Sequence, residues 1–214
     1  MKSFLLIGIG RFGKHIAKTL YDLDFEVMAV DQHEERINDV LPFVTSALIG
    51  NATNEEFLRS LGVSNYDACI VGIGNNFQSA LEITSLLKDL GAKKVISRAS
   101  REVEKKFLLR NGADEVVYPQ KQMAIWTAIR TSNDHILDYV ALDSEFNVYE
   151  IDIPDSWLGK TVGQLNIRRE YHLNILAVKE GGKMNPAITP DTLLDQGKTL
   201  LVLGTYEHVE RCFR

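Results

Sequence analysis

The chain has 214 residues, 45% of them apolar and 25% charged, and a net charge of −5. That length suits one large domain or two small ones, and the acidic balance argues against a general nucleic-acid surface, which carries a basic excess. No run of about 18 apolar residues occurs, so no segment reads as a membrane span, and Met1-Lys2-Ser3 leads straight into a strand pattern with no room for a signal peptide. Two distant cysteines, Cys69 and Cys212, make neither a disulfide framework nor a metal knuckle and point to a reducing cytoplasm.

The apolar run Phe4–Ile7 enters Gly8-Ile9-Gly10-Arg11-Phe12-Gly13. Helical spacing follows in Ile16, Ala17, Leu20 and Leu23. A second strand pattern, Phe25–Val30, ends at Asp31. His33–Leu41 reads as a short helix stopped by Pro42, and Val44–Ile49 as the third strand. Thr53 or Asn54 caps the next helix, which stops at Gly62. Asp67–Val71 is a fourth strand, followed by Gly72-Ile73-Gly74-Asn75-Asn76 and a helix over Phe77–Leu90. Lys94–Ser97 is a fifth strand with Arg98 at its exit, Arg101–Asn111 is helical, and Val116–Tyr118 is a sixth strand closed by Pro119. This alternation predicts an α/β fold, a Rossmann-like doubly wound parallel sheet of order 3-2-1-4-5-6, over residues 1–120.

The glycine pattern is a dinucleotide-binding fingerprint because each residue has a separate task. Gly8 allows the tight turn, Gly10 the approach of backbone to a phosphate, and Gly13 close packing of helix on sheet. The helix start offers unpaired N–H groups to an anion, and Asp31 can accept from ribose hydroxyls. Arg11, Asp31, Asn51, Asn75 and Arg98 leave successive strand exits, so the fold gathers them around one crevice.

Gln122–Val140 reads as a long helix whose apolar residues, Met123 to Ile129, cover nearly all its circumference; such a helix is buried, best against another subunit, the alternative being a fold back onto its own sheet. The segment 121–140 is thus a connecting and dimerisation helix. The texture then changes. Strands are expected at Val148–Ile153, Asn174–Lys179 and Thr199–Leu203, with short helices at Val162–Leu165 and the C-terminus. Residues 141–214 form a small α+β module, marginal alone at that size and suited to pairing with a copy of itself.

These stretches resemble the regulatory subunits of Trk/Ktr potassium-uptake systems, the RCK-domain proteins. The resemblance rests on the glycine motif, Val30-Asp31, Gly50-Asn51-Ala52-Thr53, Gly72–Asn76, Asn111-Gly112-Ala113-Asp114, Tyr118-Pro119 and, in the tail, Leu158–Val162, Asn174–Val178 and Leu200–Leu203. It implies a cytosolic homodimer assembling into an octameric ring, docked at the inner membrane face on a separate K⁺-conducting subunit of the TrkH/KtrB kind. It also implies ATP, ADP or NAD(H) as ligand, ATP/ADP being favoured, with ring shape biasing the gate. By position, Arg11 would contact phosphates, including a neighbouring subunit's, and Asp31 the ribose. Gln32 and His33 would lie near the nucleoside, Asn51 and Ala52 beside the adenine, and Ile73, Gly74 and Asn75 along the crevice. Arg98 would sit near the phosphates, with Ala99, Ser100 and Glu104 at the pocket edge. Many members place a cation-holding glutamate after the Tyr/His-Pro pair; here Gln120, a poorer ligand for a hard cation, stands there. Some relatives bind cyclic di-AMP between C-terminal modules; Asn166, Arg168, Ile175 and Pro186 would line such a cleft, but read better as a helix end and a core strand.

The rival class is a small NAD-dependent oxidoreductase, which needs an acid or base beside the reacting ring. No pairing in the sequence supplies one. His15 reads as a helix-surface residue, His172 and His208 fall in the second module, and His135 with Asp134 and Asp138 lacks a fourth metal ligand. The P-loop and the nucleophile elbow are both missing. The sequence reads as a nucleotide-responsive regulator and not as an enzyme.

Overall fold

The computed structural model describes residues 2–213. The chain divides into two compact units, one up to Gln122 and one from Met123 on.

The first unit alternates β1 (Ser3–Ile7), α1 (Arg11–Asp22), β2 (Glu26–Asp31), α2 (Glu34–Val40), β3 (Ser46–Ile49), α3 (Glu55–Ser60), β4 (Ala68–Val71), α4 (Phe77–Asp89), β5 (Val95–Arg98), α5 (Glu102–Arg110) and β6 (Glu115–Val117). The six strands run in the order β3-β2-β1-β4-β5-β6, all parallel, with Ile7 opposite both Val30 and Val71. Both faces of the sheet are covered, which is why Leu5, Leu6 and Ile7 are all buried. Leu5 and Ile7 join Val71, Ile83 and Leu87 on one face. Leu6 joins Ala17, Ala29 and Ile37 on the other. Asn54, not Thr53, caps α3 by accepting the Phe57 N–H at 3.1 Å, and Asn76 caps α4 in the same way through Ser79.

The expected helix over Gln122–Val140 is two elements. α6 spans Pro119–Ser132 and β7 spans Ile136–Ala141. Pro119 does not close β6 but opens α6, where its missing N–H leaves nothing unsatisfied. Asn133 breaks the helix: its carbonyl and side-chain oxygens accept from Ile136 and His135. The β-branched and aromatic residues beyond it then pair antiparallel with β8 (Asn147–Asp152), which a continued helix would leave without that neighbour. Within the single chain α6 has no buried residue. Trp126 and Ile129 pack against the second core, while Met123 and Ile125 are exposed.

The second unit continues with α7 (Val162–Leu165), α8 (Ile167–Glu170), β9 (Asn174–Glu180), β10 (Lys183–Asn185), β11 (Lys198–Gly204) and α9 (Tyr206–Arg211). Its five strands lie in the order β10-β9-β11-β8-β7 and are antiparallel. Alternate residues of β8 and β11, Tyr149, Ile151, Leu200 and Val202, point into one core with Trp157 and Leu173. Both cysteines are buried free thiols, pushed up to about 12 by that burial. Among the described residues no helix is long and apolar enough to cross a membrane.

Candidate functional site

A cavity of about 610 Å³ opens at the carboxyl ends of the first sheet's strands, within the range of small-ligand sites. Its floor is the turn from β1 into α1. Gly8, at φ +91°, donates its N–H to Val30 O at 2.8 Å. A Cβ at Gly8 would stand 2.7 Å from Ile73 Cγ1, and one at Gly13 would overlap the Gly8 carbonyl oxygen. Gly10 is different: a Cβ there meets nothing within 4 Å. It is the N-cap of α1 and offers no side-chain cap to that helix, so the first-turn N–H groups are free to meet an anion.

Positive charge collects around this turn. Arg11, Lys14, Arg36 and Arg98 all line the cavity of an otherwise acidic chain. The Arg98 guanidinium lies over the Phe12 ring, and its Nε is buried with no hydrogen-bond partner among the described residues. Lys14 is paired with Asp39 on α2.

At the end of β2, Asp31 is 6% exposed. Its Oδ2 accepts from Ile9 N–H at 2.7 Å and from Arg36 Nη1 at 3.4 Å; its Oδ1 accepts from His33 N–H at 2.9 Å and lies 2.8 Å from His33 Nδ1. Burial is the largest single influence and pushes this carboxyl up. The bonds from the His33 ring and N–H and from Ile9 N–H, with the Arg36 charge, outweigh it and hold the group below the usual carboxylate range.

Of the residues singled out in the sequence, Gly8, Gly10, Arg11, Asp31, Gln32, His33, Ala52, Ile73, Gly74, Asn75, Arg98, Ser100 and Gln120 line the cavity. Phe12, Gly13, Asn51, Ala99 and Glu104 do not. Phe12 lies beneath Arg98, and Gly13 is spent on helix packing. Asn51 turns its side-chain oxygen to Gln32 and Thr53. Ala99 is fully buried in a small cluster with Leu108. Glu104, expected at the pocket edge, is buried and accepts from the N–H groups of Ser100 and Arg101 at 2.8 and 3.1 Å, stitching the start of α5. Lys14 and Arg36 were missed; both sit a helical turn or less inside the helices that follow the first two strands, where the glycine fingerprint gives no positions. Asn76 and Ser79 also line the cavity, as α4's cap and the residue it caps.

The other sequence candidates lie elsewhere. His135 is not on a helix: it stacks on Phe213 at 4.2 Å, and Asp138 accepts the Trp126 indole N–H at 2.9 Å. Among the described residues no group of metal-ligating side chains forms. Asn166, at φ +47°, joins α7 to α8, and Ile175 packs on the second core. Neither these two nor Arg168 and Pro186 line the second unit's cleft of about 680 Å³ around Asp152, Asp195 and Phe213.

A six-stranded parallel sheet with this glycine turn and charged crevice, followed by a small antiparallel module, defines a Rossmann-like domain joined to a second, α+β unit. Residues 4–119 match the TrkA-N domain and residues 148–214 the TrkA-C domain. The Ktr system potassium uptake protein C of Bacillus subtilis is 35% identical over 98% of this chain and 95% of its own length. Among solved structures, the GsuK channel superposes with a TM-score of 0.71 at 20% identity, covering 98% of this chain and 38% of that one. The GsuK channel bound to NAD superposes at 0.65 and 18% identity over 97% and 38%. These two show the fold. The chain belongs to the Trk/Ktr family of potassium-uptake RCK-domain proteins.

Proposed function

We propose that this protein is a regulatory subunit of a potassium-uptake system that senses a nucleotide in the β1–α1 crevice and acts on a separate K⁺-conducting membrane subunit. The observation that carries the reading is the charge of the crevice. In a chain of net charge −5, Arg11, Lys14, Arg36 and Arg98 face one cavity, beside a helix start without a side-chain cap and an orphaned Arg98 Nε. Phosphate oxygens satisfy all of these at once. Asp31, whose carboxyl stays ionised, suits an unphosphorylated ribose and disfavours a 2′-phosphate.

ATP and ADP are the ligands this reading favours, on the family resemblance; ADP and NAD are each named with a GsuK structure, and NAD(H) is the second choice. The ligand acts as an effector: it shifts a population of assembly shapes by its differential affinity for them. The assembly in this reading is a homodimer built into an octameric ring, with the exposed Met123 and Ile125 of α6 and the second module as its contacts. Gln120 at the cavity rim provides a neutral amide where a carboxylate would hold a divalent cation, so divalent dependence is weak.

A thermal-shift titration tests the reading. ATP or ADP, and more weakly NAD⁺ or NADH, raises the melting temperature in a concentration-dependent way. Arg11→Ala weakens the shift with ATP more than that with adenosine. No shift from any of the four overturns the proposal, and steady oxidation of NADH by a carbonyl substrate moves it to the oxidoreductase class.

A further inference from the structure

A carboxylate offers about four acceptor positions, and those of Asp31 are all taken inside the protein. Two are filled by backbone N–H groups, Ile9 on Oδ2 and His33 on Oδ1, which hold the side chain in place. The other two are filled by side chains, the His33 ring at 2.8 Å and Arg36 at 3.4 Å. The Arg36 contact is long and weak by hydrogen-bond geometry. The imidazole contact is short, yet the His33 side chain is 61% exposed and can swing into solvent. Asp31, His33 and Arg36 all line the cavity. A ribose diol arriving there finds its acceptor occupied by a donor that can be displaced.

We infer that His33 determines how strongly this cavity favours a ribose over a sugar lacking its hydroxyls. With its proton on Nδ1, the ring donates to the oxygen that the diol would use. Binding a ribonucleotide then exchanges one hydrogen bond to Asp31 for another, and the hydroxyls contribute little net affinity. A dideoxyribose leaves the imidazole where it is. The inference rests on the nucleotide reading of the crevice, and it assigns to His33 competition with the ligand, in place of the contact with the nucleoside that its position by resemblance implied.

Isothermal titration of the full chain with ATP and with 2′,3′-dideoxy-ATP tests this in the wild type, in His33→Ala and in His33→Gly. Glycine is accepted at a helix N-cap, the position His33 holds on α2, and so guards against a loss of that helix in the alanine variant. The quantity read is the ratio of the dideoxy-ATP Kd to the ATP Kd. In both variants it rises about tenfold over wild type, the scale of a hydrogen bond to a charged group, through tighter ATP binding and not weaker dideoxy-ATP binding. An unchanged ratio, or equal loss of affinity for both nucleotides, overturns the role of His33 while leaving the crevice a nucleotide site. No binding of either nucleotide to any of the three proteins overturns both.

Discussion

Arg98 rests on Phe12: its guanidinium carbon lies 5.3 Å from the ring centroid. The contact holds an arginine from the exit of β5 over a residue of the first turn of α1. Gly74 makes room for it, since a Cβ there would stand 2.6 Å from Arg98 Cζ. A planar guanidinium uses the ring face in a way an ammonium cannot. Arg98→Lys is therefore expected to weaken ATP binding about tenfold, and Gly74→Ala to do nearly as much by pushing the arginine aside. Adenosine affinity changes less in both. Calorimetric Kd values for the two ligands check this, and equal losses would remove Arg98 from phosphate contact.

Two glycines of one motif are expected to separate stability from binding. Gly13→Ala places a methyl against the Gly8 carbonyl oxygen and should cost about 1–3 kcal/mol, the range for overpacking, or more if the backbone cannot yield. Gly10→Ala meets open space at an ordinary φ of −74° and should cost under about 1 kcal/mol of stability, yet its methyl occupies the place a phosphate would take. Urea denaturation should rank Gly13→Ala as the damaged fold and nucleotide titration should rank Gly10→Ala as the damaged site.

Acid sensitivity follows from Asp31. Its carboxyl is held below the usual range in the fold. The folded state therefore favours the ionised form, and this stabilisation is complete above about pH 5, beyond the unfolded carboxyl's titration. It is lost as pH falls through the lower folded value. Asp31→Asn should lower stability at pH 7 by about 1–2 kcal/mol, since donors at Ile9 and His33 lose a charged acceptor. The deficit against wild type should shrink between pH 5 and pH 3. Urea midpoints across that window check it; a constant deficit would contradict the sign.

The two faces of α6 differ, and assembly should read only one. Trp126 and Ile129 belong to the second core, whereas Met123 and Ile125 are 56% and 45% exposed. Met123→Asp with Ile125→Asp should leave melting of the individual chain within about 1 kcal/mol, as surface changes do, and reduce the oligomer seen by sedimentation velocity. A wild-type protein that sediments as a monomer would remove α6 from any interface.

The first unit was legible because its signals agree. Apolar runs, glycine turns and capping asparagines recur in a rhythm that only a parallel sheet with crossover helices satisfies, and β3-β2-β1-β4-β5-β6 is the order that rhythm implies. Residues 133–140 read as helix because their apolar residues fit a helical period nearly as well as a strand. Pairing with β8 decided the matter, and nothing local announces that partner. Within the cavity, Asp31, Asn75 and Arg98 were readable as strand exits, whereas Asn51, read in the same way, turns to Gln32 and Thr53. Lys14 and Arg36 were not readable, since they reach the cavity from helix positions whose rotation depends on how α1 and α2 pack. Glu104 was misplaced because a glutamate three residues into a helix reads equally as pocket lining or as a cap, and the N–H groups of Ser100 and Arg101 claimed it.

The buried thiols carry a last consequence. With Cys69 and Cys212 both buried and pushed up to about 12 by that burial, the thiol form prevails at neutral pH, and oxidants and alkylating agents act on thiolates. Peroxide stress or the loss of glutathione should thus pass this protein by while it stays folded, and the regulatory role proposed above would then be insulated from the cell's redox state. Purification without reductant should yield the same material as purification with it.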